Sequence, residues 1–303
     1  MVYGKSDAIM SNSNMRHNVT SVTPIYSYVF EFEKKFSPEK ARAWMDSNWT
    51  NGFYFCGIYL LLVFSLKHYM KDRTRLNLRK ILITWNTMLA VFSLIGSART
   101  LPELFHVLSN YGIYHSVCVP SFIESDKVAG FWTWMFALSK LPELGDTVFV
   151  VLRKQPLIFL HWYHHITVLL YTWYAYKEYT SSARWFIVMN YCVHSLMYSY
   201  YALRAMGFFP PRFIMMLITS LQITQMVIGC LVNYWSYVYL TNNQACHITY
   251  LNIKLSTCMY FSYFVLFAQF FYKAYFSKSG KKKPSSIPGS IYTSNKDDKI
   301  KSQ

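Results

Sequence analysis

Pro156-Leu-Ile-Phe-Leu-His161-Trp-Tyr-His164-His165-Ile-Thr-Val-Leu-Leu-Tyr-Thr-Trp-Tyr-Ala-Tyr176 contains no residue with a fixed charge. The stretch 157–176 has about the 20 residues that a helix needs to cross a bilayer. Arg153 and Lys154 precede it and Lys177 follows it. Pro156 is a common helix-starting residue, because its missing N–H is one the first turn leaves unpaired anyway. On a helix, His161, His164 and His165 fall within an arc of about 100°, on one face. They sit one or two turns from the end that carries Arg153 and Lys154. One histidine in a membrane helix reads as an interhelical hydrogen bond. Three on one face, where an ionisable group is costly to bury, point to function.

The rest of the chain supports a membrane reading. Of 303 residues, 53% are hydrophobic and 19% aromatic, which is high for a soluble chain. The apolar residues come in blocks at about 51–66, 81–99, 129–151, 157–176, 185–203, 213–240 and 254–276. These predict seven spans and an all-α multi-pass membrane protein. Lys140, Glu143 and Asp146 interrupt the third block. No apolar stretch with a small-residue cleavage site opens the chain, so the first span is expected to serve as its own insertion signal.

The net charge is +16. Cations are dense in 67–80, at Arg153 and Lys154, at Arg204 and Arg212, and in the tail at Lys278 and Lys281–Lys283. The segments 100–128, 177–184 and 241–252 hold only Lys127, Lys177 and Arg184. The positive-inside rule makes the first set cytosolic, with the C-terminus, and the N-terminus lumenal. Charge retained in short cytosolic loops, or an acidic partner, either anionic lipid or a polyanionic substrate, accounts for the balance; nucleic acid does not suit it. The expected organisation is a lumenal segment 1–50, a membrane domain 51–276 and a cytosolic tail 277–303.

Three sequence features agree with this topology. Asn18-Val-Thr20 is a glycosylation acceptor on the expected lumenal side; Asn48-Trp-Thr50 also matches but lies close to the membrane. Lys299 and Lys301 lie fifth and third from the end, a dilysine pattern for retrieval to the endoplasmic reticulum or simply a solvated tail. Cys118 and Cys246 fall in different lumenal loops, where an oxidising compartment lets them pair. Cys56, Cys192, Cys230 and Cys258 fall in spans as small packing residues.

Other polar residues within spans form stripes. Asn190, His194, Tyr198 and Tyr201 share one face of the fifth span. That polar face needs a polar partner, and the His161–His165 cluster is the obvious one. Lys140, Glu143 and Asp146 recur at three-residue spacing. They are either an internal ion-pair ladder or a site where Lys140 meets an anionic substrate group and Asp146 orients a histidine. Gln222 and Gln225 in the sixth span are interhelical glue or a cavity lining.

Two chemistries use buried histidines. A di-iron desaturase or hydroxylase needs further histidine boxes. Of nine histidines, His17, His68, His106, His115 and His247 fall in tails, loops or span ends. The four in the bundle could hold one zinc ion, but no clear set of supporting residues accompanies them, so no metal or cofactor is expected. The other chemistry is nucleophilic: neutral imidazole attacks acyl groups, and the acyl-imidazole is reactive in turn. A seven-helix receptor or transporter shares the topology but has no use for three adjacent histidines at the cytosolic side.

Five ordered motifs carry a resemblance: Lys140-Leu-Pro-Glu143-Leu-Gly-Asp146-Thr147; Leu152-Arg153-Lys154; His161-Trp-Tyr-His164-His165; Met189-Asn190-Tyr191-Cys-Val-His194-Ser-Leu-Met-Tyr198-Ser-Tyr200-Tyr201; and Ser220-Leu-Gln222-Ile-Thr-Gln225. Together they resemble the fatty-acyl elongase family over about 32–275. Glu143-Leu-Gly-Asp146 and His165-Ile-Thr-Val-Leu resemble the subgroup acting on saturated and monounsaturated C16-range chains. The resemblance implies condensation of acyl-CoA with malonyl-CoA to 3-ketoacyl-CoA. It implies seven spans, with helices two to seven as a barrel around an acyl tunnel, and partners among the other enzymes of the elongation cycle, a homodimer being open. His164 is expected as nucleophile, assisted by His161 and His165. His194 and Asn190 are expected to position the malonyl group. Lys140, Arg153 and Lys154 are candidates for CoA phosphates.

Overall fold

The computed structural model describes residues 22–276, and every regular element among them is helical. In chain order these are α1 (Glu31–Lys34), α2 (Pro38–Asn48), α3 (Asn51–Tyr69), α4 (Arg79–Cys118), α5 (Ser121–Glu124), α6 (Lys127–Ser139), α7 (Gly145–Leu152), α8 (Phe159–Lys177), α9 (Ala183–Met206), α10 (Arg212–Thr241) and α11 (Tyr250–Phe271). A 3₁₀ turn, Pro142–Leu144, separates α6 from α7, and a π turn follows α11. Asn18 and the lysines from Lys278 to Lys301 lie outside the described residues.

Local chemistry sets several boundaries. Ser37 caps α2 by accepting from the Lys40 N–H, with Pro38 in the first turn. Asp126 caps α6 by accepting from the Val128 and Ala129 N–H groups at 2.8 and 3.0 Å. Gly207 ends α9 at φ 102°, a conformation that only glycine adopts freely. Asn48 ends α2, its amide donating to the Trp44 carbonyl.

A helix lies at each of the seven predicted blocks, but two differ in form. The third is not continuous. Pro142 has no N–H for the Leu138 carbonyl, so the helix breaks after Ser139 and restarts at Gly145. The second extends far beyond 99: α4 runs to Cys118 through Pro102, interrupted only at Gly112 (φ 76°, ψ −173°). Most of the expected loop 100–128 is therefore helix. Glu103 belongs inside it because Arg184 neutralises it, with Nε 2.8 Å from Oε2 and both side chains about 1% exposed. Arg184 is not a loop residue either, but sits buried in the first turn of α9.

Four segments, Asn51–Tyr69, Arg79–Cys118, Arg212–Thr241 and Tyr250–Phe276, are long and apolar enough to cross a membrane. Their outer faces agree: Leu61, Leu94, Phe213 and Phe261 each expose more than 60% of their surface. Such a coat suits lipid rather than water. α4 lies along α9, α9 beside α10, α10 beside α11, α11 beside α8, α8 beside α6, and α6 returns to α4. α3 lies outside, against α7 and α8. Gly96 permits the tightest of these approaches. A Cβ there would stand 2.4 Å from the Tyr191 ring, whose hydroxyl reaches the Trp132 carbonyl at 2.8 Å.

Candidate active site

The helices enclose an elongated cavity of about 210 Å³. At one end it is lined by Tyr201, Met215 and Phe270, from the C-terminal end of α9, the first turn of α10 and the last turn of α11. At the other end stand Phe122 and Ile123 of α5, with Thr180 and Ala183, at the turn into α9. That second end is sealed: Phe122, Ile123 and Thr180 are each no more than 3% exposed.

His161, His164 and His165 line the cavity from the first two turns of α8. The His161 and His165 rings are 4.8 Å apart, and those of His164 and His165 5.5 Å. His161 Nε2 and His165 Nδ1 are buried without a hydrogen-bond partner among the described residues. A buried polar atom is normally satisfied, and a reactive site is one place where it is not. Asn190 and His194 line the same cavity from α9. Because α8 packs on α11, α6 and α3 while α9 packs on α4 and α10, the two polar faces stand on opposite walls.

A chain of contacts leads into His194. Lys140, 2% exposed, places Nζ 2.8 and 3.1 Å from the Glu143 carboxylate and 3.2 Å from Asn190 Oδ1. Ser139 also donates to Glu143. The Asn190 amide nitrogen lies 3.1 Å from His194 Nε2. An ammonium only donates, so the amide oxygen must face Lys140 and the NH₂ must face the ring. Nε2 of His194 is then the acceptor, and the neutral ring carries its proton on Nδ1.

Asp146 stands apart from this chain. Its oxygens accept from Trp85 Nε1 at 2.5 Å and from Tyr198 at 2.8 Å. Among the described residues no histidine is its hydrogen-bond partner, so the expectation that it orients one is corrected, as is a ladder of all three ionised groups. The cause is that Trp85 of α4 and Tyr198 of α9 occupy both carboxylate oxygens of Asp146. Tyr198 completes the link, its ring 5.3 Å from that of His194.

Glu143, Asp146, Tyr198, Tyr201, Gln222 and Gln225 also line the cavity. Gln222 donates to the Met197 sulfur. Lys154 does not join them; its Nζ reaches the Lys71 and Arg73 carbonyls on the connection before α4. Arg153 caps α7 next to it. Lys140 is too deeply enclosed to meet a CoA phosphate, which corrects that expectation. Cys118 and Cys246 form a disulfide near the sealed end. Among the described residues no three His, Cys, Asp or Glu side chains converge as metal ligands.

Sequence reasoning overlooked Tyr263. Its ring centroid lies 5.0 Å from that of His164, and its hydroxyl reaches Thr167 Oγ1 at 2.5 Å and the His164 carbonyl at 3.3 Å. The signal available was Tyr260-Phe-Ser-Tyr263 in the last span, which reads as ordinary packing.

Imidazoles on opposite walls of a blind, mainly apolar cavity define a membrane protein built to work on a long apolar molecule rather than to pass a solute. The comparisons give that class its family. Residues 44–283, well over half the chain, match the family model described as ELO: GNS1/SUR4 family, and the chain belongs to that family. It is 65% identical over 264 residues to very long chain fatty acid elongase 6 of Drosophila melanogaster, covering 86% of this chain and 84% of that one. It is 50% identical to the protein of that name in Gallus gallus and 49% to that in Homo sapiens, covering 83% of this chain and 94% of each relative.

Proposed function

We infer that this chain is a very-long-chain fatty acid elongase, an acyltransferase that condenses a long-chain acyl-CoA with malonyl-CoA to 3-ketoacyl-CoA, releasing CO2 and CoA. The observation that carries the reading is the cavity: His161, His164, His165, Asn190 and His194 line it together, and beyond them it is largely apolar and blind. The resemblance of Glu143-Leu-Gly-Asp146 and His165-Ile-Thr-Val-Leu to one elongase subgroup supports saturated and monounsaturated chains of the C16 range as substrates.

His164 attacks the acyl thioester; the carbon–sulfur bond breaks, CoA leaves with the imidazole proton, and an acyl-imidazole remains. His161 and His165, with their unpartnered nitrogens, relay that proton to the departing thiolate and return one, taken up from water at the open end, to His164 when the second step releases it. Malonyl-CoA then loses CO2. The resulting enolate attacks the acyl carbon, forming the new carbon–carbon bond and releasing His164. His194, donating through Nδ1 and held by Asn190, stabilises the enolate oxygen. Arg153 and Lys154 lie near the open end, where CoA phosphates would approach; Gln222, Gln225, Tyr198 and Tyr201 line the path inward.

In this reading α6 with α7 counts as one crossing. Seven helices then span the endoplasmic reticulum membrane, and six of them close a barrel around the acyl tunnel. The closed order of neighbours from α4 back to α4 supports the barrel. The charge distribution supports a lumenal N-terminus and a cytosolic C-terminus, and the Cys118–Cys246 bond suits the lumenal side. Membrane lipid, other enzymes of the cycle and a second copy of the chain are the partners proposed.

The test is a panel of C12 to C22 acyl-CoAs with labelled malonyl-CoA. Wild type is expected to lengthen C16-range chains by two carbons. His164→Ala is expected to lose activity by roughly 10²–10⁴-fold or more, the range for removing a positioned acid–base group. No malonyl-CoA-dependent lengthening of any chain would move the reading to a receptor or transporter.

A further inference from the structure

We propose that Phe122 and Ile123 form a rigid plug that sets the longest acyl chain this enzyme accepts, and that Arg184 is the residue that positions it. The proposal rests on the elongase reading and adds to it the part of the chain that measures the substrate.

The plug belongs to α5, a single turn that follows a bend whose carbonyls are held from α9. Arg184 reaches across from the first turn of α9 and uses every donor it has. Nε donates to Glu103 at 2.8 and 3.2 Å. Nη1 donates to the carbonyls of Ser116 and His115, at 2.7 and 3.2 Å. Nη2 donates to Ser121 Oγ and the Val119 carbonyl, at 2.7 and 3.1 Å. The guanidinium lies 4.9 Å from the centre of the Phe122 ring. One buried side chain therefore fixes the bend from α4 into α5, and with it the depth to which Phe122 and Ile123 project.

Independent ties hold the same bend. Ser181 Oγ donates to the Val117 carbonyl at 2.6 Å. The His247 N–H donates to the Cys118 carbonyl at 2.9 Å, beside the Cys118–Cys246 disulfide. α4, α5, α9 and the segment before α11 meet at this point. A plug anchored by α4, α9 and the segment before α11 does not withdraw for a longer chain as a loose loop would.

The distance is the second observation. Below the imidazoles, cavity-lining residues continue on α8 from His164 to Tyr176, and on α9 from His194 back to Ala183. These intervals are 12 and 11 residues, or roughly 17 Å at the helical rise. An extended chain advances roughly 1.2 Å per bond, as a peptide does over its three backbone bonds per residue. The space below the imidazoles thus takes about 14 bonds, a chain of roughly 15 or 16 carbons counted from the reacting carbonyl. Each buried methylene favours binding by about fourfold, until the chain meets Phe122 and Ile123.

The experiment uses the full chain in lipid nanodiscs, with labelled malonyl-CoA and acyl-CoAs from C12 to C20. Phe122→Ala and Ile123→Ala deepen the cavity and are expected to raise the C18 to C16 ratio of kcat/KM by about tenfold. Ala183→Leu fills the same end and is expected to move the optimum about two carbons shorter. Arg184→Lys keeps the charge but loses the planar fork, and is expected to raise the C18 to C16 ratio in the folded fraction. An unchanged ratio in folded Phe122→Ala and Ile123→Ala overturns the plug, and so does an equal loss at every chain length. If both deepening variants fail to fold, an unchanged optimum in Ala183→Leu overturns it. An unchanged ratio in folded Arg184→Lys removes the positioning role. Wild type that lengthens nothing fails the elongase reading instead, so the two failures are distinct.

Discussion

Asn190 links a buried cation to an imidazole of the cavity. Its amide oxygen accepts from Lys140 at 3.2 Å while its nitrogen faces His194 at 3.1 Å. Asn190→Asp keeps an acceptor for Lys140 but presents a second acceptor to His194 Nε2. Loss of that donor frees the ring to change tautomer or turn. A fall in kcat of about 100-fold is expected, the low end for a disturbed acid–base group, with the unfolding temperature within a few degrees of wild type. An unchanged kcat would remove Asn190 from the mechanism. The stripe Asn190, His194, Tyr198 was legible from its spacing, and so was the His161–His165 face. The partner of Asn190 was not. Lys140 meets it across the packing of two helices 50 residues apart in sequence, a relation that spacing along one helix does not contain.

At the scale of elements, charged residues misled where their partners lie far away in sequence. The expected second span ends at 99, just before Glu103. In the structure Arg99 meets Glu33 and Glu103 meets Arg184, so a long helix carries both. Glu33 also ties α1 to the bundle, accepting from Arg99 at 2.5 and 2.9 Å, Trp132 at 2.8 Å and the Phe30 N–H at 2.9 Å. Burial pushes the Glu33 carboxyl up, but hydrogen bonds from Arg99, Trp132 and Phe30 outweigh it and hold the group below the ordinary carboxylate value. A depressed folded value means stabilisation that is present at neutral pH and lost as pH falls through it. Glu33→Gln is therefore expected to lower the unfolding temperature at pH 7, by an amount equivalent to about 3 kcal/mol for a broken buried pair. The gap from wild type should narrow below about pH 4. A gap that stays constant from pH 7 to below that value would contradict the account.

For the molecule as a whole, apolar blocks and cation-rich loops made the helical membrane class readable. The enclosed space between helices did not follow from them. It depends on which helices are neighbours, and a stripe of imidazoles says that a polar face exists without saying what faces it. The structure supplies the missing relation: α8 and α9 present their histidines to one cavity from opposite walls, with a sealed apolar end beyond them. That arrangement suits two-stage transfer, in which the acyl chain stays in the tunnel while the CoA carriers exchange at the other end. The most direct measurement is incubation of the purified protein with palmitoyl-CoA and no malonyl-CoA, followed by CoA quantification and mass spectrometry of the protein. The account predicts CoA release of about one equivalent and an acyl group on the peptide containing His161–His165, both lost in His164→Ala. Protein that elongates when malonyl-CoA is present, yet releases no CoA and carries no acyl group without it, would contradict the covalent mechanism and leave direct condensation of the two bound substrates.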